Sequence, residues 1–247
     1  MKQINIVIPM AGQGLRFKKA GFSKPKPFIE VCGVPMIERV LANLAMPNAR
    51  VILVALKAHL ERECEIVERI KREYNAEFVA IENLTQGTAC SVLYGLEFID
   101  NDTPLLIANA DQIVDINMGD FVADCLSRKL DGQILCFVDS TRNPKWSFVR
   151  VDLASGFVAE VREKEAISDI ATAGIYLFAQ GRIFVESAQE MIMQDNRING
   201  EFYTAPSYNY AIKNGAKIGV YTIPRECMHG LGTPQDLAEY ERMLNGK

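Results

Sequence analysis

The stretch Ile4-Asn5-Ile6-Val7-Ile8-Pro9-Met10-Ala11-Gly12-Gln13-Gly14-Leu15-Arg16-Phe17 sets a short β-branched run directly before a turn with two glycines. Ile4–Ile8 is too short for a buried helix and reads as a buried strand. Glycines after a strand let the backbone turn tightly and bring its N–H groups close to phosphate oxygens. Gly12 and Gly14 also match the first two glycines of a dinucleotide fingerprint, with Glu30 near its acidic position. Two features oppose that fingerprint. Arg16 and Phe17 stand where a third glycine would close helix against strand. Gly21, Pro25 and Pro27 then break any following helix, which predicts an extended basic loop instead.

That loop, residues 16–29, carries Arg16, Lys18, Lys19, Lys24 and Lys26 and no acid. Cations beside a glycine turn suit a triphosphate, although a solvated basic loop has the same composition. The planar fork of Arg16 fits β- and γ-phosphate oxygens, and Lys26 can neutralise charge developing at the α-phosphorus.

Outward from this stretch, short apolar runs alternate with helical patterns. Val51–Ala55, Phe78–Ile81, Leu105–Ala108 and Ile134–Val138 read as further buried strands. Pro35–Ala45 and His59–Tyr74 carry apolar residues at helical spacing. Past about residue 140, Phe148–Asp152 and Gly156–Val161 read as paired strands joined by a Ser-Gly turn, inserted on the main sheet. Ile175–Phe178 and Ile218–Thr222 return to the sheet, and Pro234–Leu244 is a terminal helix capped by Thr233. The expected fold is α/β: a Rossmann-like three-layer α/β/α arrangement around a mixed, mostly parallel sheet, with a small β insertion.

Composition bounds the function. The chain has 247 residues, 49% hydrophobic and 23% charged, enough for one sizeable core. A net charge of -4 argues against general nucleic-acid binding, so a polyanion must be held locally. The six cysteines form no C-x-x-C pair, and with two histidines a structural zinc site is not expected. Reduced, mostly buried thiols and a cytoplasmic location are expected. The N-terminus does not read as a signal peptide, and no run of about 18 apolar residues predicts a membrane span.

The string from Ile8 to Val40 resembles the signature of the sugar-phosphate nucleotidyltransferase family. The resemblance lies in Ala11-Gly12-Gln13-Gly14-Leu15-Arg16, Lys24-Pro25-Lys26-Pro27-Phe28 and Gly33-Val34-Pro35-Met36-Ile37. It places the family's essential lysine on Lys26. Thr85-Gln86-Gly87-Thr88-Ala89 is similar to the loop that reads the nucleobase: Gln86 could donate to and accept from a base edge, and Gly87 would let the base lie flat. Viewed alone, Thr88 also fits a simple helix cap. Asn109-Ala110-Asp111 ends a strand and resembles the family's metal element, with Asp111 on Mg²⁺. Val161-Arg162-Glu163-Lys164 resembles the acceptor-binding Glu-Lys, Thr172-Ala173-Gly174-Ile175-Tyr176 the following acceptor-site strand, and Asn199-Gly200-Glu201-Phe202 a later acidic element. Glu163 would accept acceptor hydroxyls, Lys164 would pair with its phosphate, and Glu201 would contact the acceptor, although an exposed solvated glutamate fits the same pattern.

The resemblance implies transfer of NMP from an NTP to a sugar 1-phosphate or similar phosphorylated acceptor, with release of pyrophosphate. It places such an enzyme in nucleotide-sugar supply for surface polysaccharide. A single domain over 1–247 is expected, with the nucleotide-binding part in 1–140 and the acceptor-binding part in 141–247. A β-helix acyltransferase domain, and with it bifunctionality, is not expected. A homo-oligomer is allowed but not read from the sequence.

One departure stands out. The family's second metal-binding aspartate aligns with Gly230 in Met228-His229-Gly230-Leu231-Gly232-Thr233-Pro234, so His229 or a water is left to complete coordination. Three rivals remain: a cytidylyltransferase acting on a non-sugar phosphate, a nucleotide-sugar glycosyltransferase, and a non-catalytic nucleotide-binding regulator. The glycosyltransferase would need neither the Gly-x-Gly-x-Arg loop nor the Lys-Pro element.

Overall fold

The computed structural model describes residues 3–246; Met1, Lys2 and Lys247, the ends of the expected 1–247 domain, lie outside the described residues. In chain order the elements begin β1 (Ile4–Pro9), α1 (Leu15–Lys19), β2 (Glu30–Val31), β3 (Val34–Pro35), α2 (Met36–Asn43), β4 (Ala49–Leu56), α3 (Lys57–Arg62), α4 (Cys64–Tyr74) and β5 (Ala76–Ile81). They continue with α5 (Thr88–Leu93), α6 (Leu96–Ile99), β6 (Leu105–Ala108), β7 (Gln112–Val114), α7 (Met118–Ser127) and β8 (Gly132–Val138). The remainder is β9 (Ser147–Val151), β10 (Val158–Glu163), β11 (Ile170–Phe178), α8 (Gly181–Met193), α9 (Ser207–Lys213), β12 (Ile218–Ile223), β13 (Met228–Gly230) and α10 (Pro234–Asn245).

The main sheet runs β10-β9-β11-β6-β1-β4-β5, with β8 on the other side of β11 and β12 beyond it. β1 is parallel to β4 and β6, β4 to β5, and β8 to β12, whereas β11 is antiparallel to β6 and β8. The mostly parallel sheet is thus as expected, and β9–β10 is an antiparallel pair at one end of it.

Strand periodicity of two sends alternate side chains to opposite faces. Ile4, Ile6 and Ile8 of β1 enter one core and Val7 the other; Leu106 and Ala108 of β6 oppose Leu105 and Ile107 in the same way. Both faces are therefore apolar, which is why these strands read as unbroken hydrophobic runs. Helices α2, α4, α7 and α10 cover the first face, and α5, α6, α8 and α9 the second. Each fully buried Ile, Leu or Phe contributes about 1.5–3 kcal/mol. Asn5, buried in β1, satisfies its amide by donating to Phe98 O at 2.8 Å.

Three expectations need correction. The chain after the glycine turn forms one short helix, α1, before the extended segment: Gly14 at φ 61 starts it, and Gly21 at φ 87 follows its end. The pattern over His59–Tyr74 is two helices broken at Glu63. Among the cysteines, all free, Cys125 and Cys136 are buried but Cys32 and Cys64 are exposed. Among the described residues, no helix is long and apolar enough to cross a membrane.

Candidate active site

Parallel strands β1, β4, β5 and β6 end on one edge of the sheet, where ligand sites of open α/β sheets lie. A cleft of about 910 Å³ opens there, large enough for a nucleotide and a small acceptor. Loops after β1, β5 and β6 form one side, and β9, β10, β11 and the segment 201–205 form the other.

Ala11, Gly12, Gly14 and Arg16 line this cleft. A Cβ on Gly12 would meet nothing within 4 Å, so the loop leaves open space there, whereas a Cβ on Gly14 would stand 3.0 Å from Lys26 Cβ. The glycine turn therefore packs on the Lys-Pro element. Pro25, at φ -57, starts a 3₁₀ turn over Lys26–Phe28 that buries Pro27 and Phe28 and leaves the Lys26 amine facing the cleft. Lys26 Nζ donates to Asp111 Oδ2, and both side chains are 22% exposed. Of the other basic residues in the loop, Lys18, Lys19 and Lys24 do not line the cleft, and Lys24 pairs with Glu30 at 2.9 Å.

Asp111 follows β6. Its carbonyl accepts from Leu231 N at 2.7 Å, and Gln112 beside it pairs with Gly230 in the β7–β13 ladder. Asn109 N donates to Gly174 O at 2.9 Å. Gly174, in the middle of β11 at φ +71, is where the pairing with β8 shifts register; a Cβ there would fall 1.5 Å from Gln112 Oε1. The glycine lets β11 bulge against the loop that carries Asp111.

Gly87 and Thr88 line the cleft beside Thr85 and Ser91. Gly87 is the N-cap of α5, so Thr88 is not its cap; the Thr88 hydroxyl instead accepts from Thr204 N and Thr204 Oγ1, both at 3.1 Å. Gln86 is exposed and outside the lining, and its carbonyl accepts from Phe202 N at 2.8 Å. The side chain expected to read a base edge thus does not share the cavity with Gly12 and Lys26.

On the acceptor side, Glu163, Lys164, Gly174 and Glu201 all line the cleft. Ser147 Oγ donates to Glu163, whose pKa is raised because burial outweighs that bond and the nearby Lys164 charge. Lys164, at φ 57, points its amine at Tyr203 OH and over the Tyr203 ring. Burial and the neighbouring Glu201 push the Tyr203 phenol up.

His229 turns away. Its Nε2 lies 2.8 Å from Asp115 Oδ2, its ring packs 5.4 Å from that of Tyr240, and it does not line the cleft. Its expected place beside the metal aspartate is not the one it takes, because neighbouring side chains of a strand alternate. Among the described residues no group of three or more His, Cys, Asp and Glu could hold a metal by itself.

The sequence reading missed Lys145, Trp146, Ser147, Tyr203 and Asp236, all of which line the cleft. Trp146 is the single tryptophan of the chain, placed beside a lysine just before a strand, which is a faint signal. Asp236 was hidden by a stronger local pattern: Thr233-Pro234-Gln235-Asp236 opens α10 as a capping box.

The family described as nucleotidyl transferase matches residues 6–241. The UTP–glucose-1-phosphate uridylyltransferase AglF of Haloferax volcanii is 26% identical over 96% of this chain and 95% of its own length. The bifunctional protein GlmU of Thermoanaerobacter pseudethanolicus is 22% identical over 99% of this chain, which spans only 52% of that longer protein. Among solved structures, a nucleoside-diphosphate-sugar pyrophosphorylase from Vibrio cholerae RC9 superimposes with a TM-score of 0.81 at 26% identity, covering 96% of this chain and 99% of the other.

Proposed function

Because the chain belongs to the nucleotidyl transferase family, we propose that it transfers NMP from an NTP to a sugar 1-phosphate, or a phosphate of similar size, and releases pyrophosphate. The observation that carries this reading is Lys26 paired with Asp111 inside a cleft bounded on one side by the glycine turn and on the other by Glu163 and Lys164. An oxygen of the acceptor phosphate attacks the α-phosphorus, the bond to the β-phosphate oxygen breaks, and pyrophosphate departs opposite the attack. No enzyme nucleophile is required, since a phosphate is already anionic at neutral pH. Catalysis is then positioning plus charge stabilisation.

In this reading residues 1–140 hold the nucleotide and 141–247 the acceptor. Loop 11–14 and Arg16 hold the β- and γ-phosphates, and Lys26 neutralises the transferring group. Gly87 and Thr88 border the base, with Asn109 near the ribose and phosphates. Glu163 and Glu201 accept acceptor hydroxyls, Lys164 meets its phosphate, and Gly174 shapes the floor.

Asp111 would hold Mg²⁺. The Lys26–Asp111 ion pair supports the fit, since this carboxylate takes a cationic partner inside the cleft. Mg²⁺ is commonly bound through one or two carboxylates plus substrate phosphates, so a richer protein cage is not needed. Bound there, the ion supplies charge neutralisation at the phosphoryl oxygens. Incubating the protein and Mg²⁺ with ATP, CTP, GTP or UTP against a panel of sugar 1-phosphates and amino-alcohol phosphates tests the reading. Pyrophosphate release with a sugar 1-phosphate supports it. Release only with a non-sugar phosphate and CTP replaces it by the cytidylyltransferase reading, and NTP binding without any release replaces it by the regulator.

A further inference from the structure

A second carboxylate, that of Asp236, shares the neighbourhood of Gly232 with Asp111. A Cβ built on Gly232 would stand 3.1 Å from Asp111 Oδ2 and 4.0 Å from Asp236 Oδ2, so both acids border a gap that the glycine leaves clear. Asp111 comes from the end of β6 and Asp236 from the first turn of α10, and both line the cleft. Each is approached by a lysine: Lys26 pairs with Asp111, and Lys145 Nζ stands 4.0 Å from Asp236 Oδ1. One side of Asp236 is already spoken for, since Oδ2 accepts from Thr233 Oγ1 at 2.7 Å while Asp236 N donates to Thr233 Oγ1 at 3.1 Å. This box fixes the carboxylate's orientation and leaves lone pairs free on both oxygens.

We infer that Asp236 is a metal-ligating residue of the transfer site, joining Asp111 on the divalent cation that accompanies the triphosphate. Two carboxylates with substrate phosphates and waters match how Mg²⁺ is usually held. With both acids on the cation, Lys26 and Lys145 would be available to phosphate oxygens. The start of α10, more than a hundred residues from Asp111 in sequence, thereby becomes part of the catalytic edge.

The inference rests on the nucleotidyltransferase reading, and its test separates the two. Mn²⁺ is titrated by EPR into the full chain saturated with α,β-methylene analogues of ATP, CTP, GTP and UTP, with nucleotide binding followed by calorimetry. D236N keeps an oxygen acceptor for Thr233, so the helix cap survives, and an unchanged melting curve without metal checks this. Mn²⁺ affinity in D236N is expected to fall on the order of 10- to 100-fold, the range seen when support for a bound metal is lost. The second variant, D236N/G230D, returns a carboxylate to the same gap, because a Cβ on Gly230 would lie 4.0 Å from Asp236 Cγ and meet nothing closer. Recovery of Mn²⁺ affinity in that double variant supports the assignment. An analogue that binds wild type while D236N titrates Mn²⁺ as wild type does overturns it alone. A wild-type protein that binds none of the four analogues overturns both readings.

Discussion

Lys26 Nζ rests against Asp111 Oδ2, joining residues 85 positions apart in sequence across the mouth of the cleft. The pair brings the Lys-Pro element after the glycine turn onto the end of β6, and it is the cation–carboxylate contact around which the proposed transfer is arranged.

Replacing Lys26 by alanine removes the charge that would meet the transferring phosphoryl group. By the measure of a single electrostatic donor, turnover falls about 10²- to 10³-fold. The fold should hold, because the side chain is partly exposed and the turn is kept by Pro25, Pro27 and Phe28. Steady-state kinetics beside a melting curve decide it, and a kcat equal to wild type sinks the assignment.

Gly87→Ala tests the seam between the two halves. Gly87 sits at φ 133 and ψ 173, a region other residues scarcely enter, and its Cβ would fall 2.3 Å from Phe202 O. The strain, on the order of 1–3 kcal/mol, must push away the segment that carries Glu201 and Tyr203. The acceptor KM should therefore rise more than the NTP KM. Equal effects on both would place the damage in the nucleotide loop alone.

Gly174→Ala strikes the bulge in β11. The new methyl would overlap Gln112 Oε1, and the positive φ adds strain. Displacing Gln112 disturbs the ladder next to Asp111. Tm should drop by roughly 2–4 °C for each kcal/mol lost, together with turnover. A variant that melts and turns over as wild type would show that the bulge is dispensable.

Glu163 gives a pH prediction with two signs. Burial raises its pKa, so ionising it costs folding free energy: the protonated form is the better tolerated one, and stability declines as pH rises through that raised pKa. Glu163→Gln should then melt higher than wild type at neutral pH, with the gap closing in acid. Acceptor binding moves the other way, since an amide accepts hydroxyl bonds less well than a carboxylate. In wild type the acceptor KM climbs as pH falls through the Glu163 pKa, and in the variant this arm flattens. A neutral-pH melting temperature below wild type would refute the stability sign.

Much of the molecule was legible from local spacing. Unbroken β-branched runs declared two-sided strands, apolar residues at helical intervals declared the covering helices, and the two glycines before Arg16 declared a turn directly after β1. The errors were also local in kind. The short helix α1 escapes local spacing because Gly21, Pro25 and Pro27 outweigh the few helix-compatible residues before them, yet five residues suffice when Gly14 takes the left-handed conformation.

The layered α/β architecture, the glycine turn, the Lys-Pro element and the acid that follows β6 are each written within a few neighbouring residues. The docking of distant segments is what turns Gln86 outward, sets His229 against Asp115 and brings Asp236 into the cleft that Asp111 also lines. The physical reason is that propensity and turn chemistry act over one or two turns of chain. Which side chains meet across the cleft depends instead on strand register and on how a distant helix is docked.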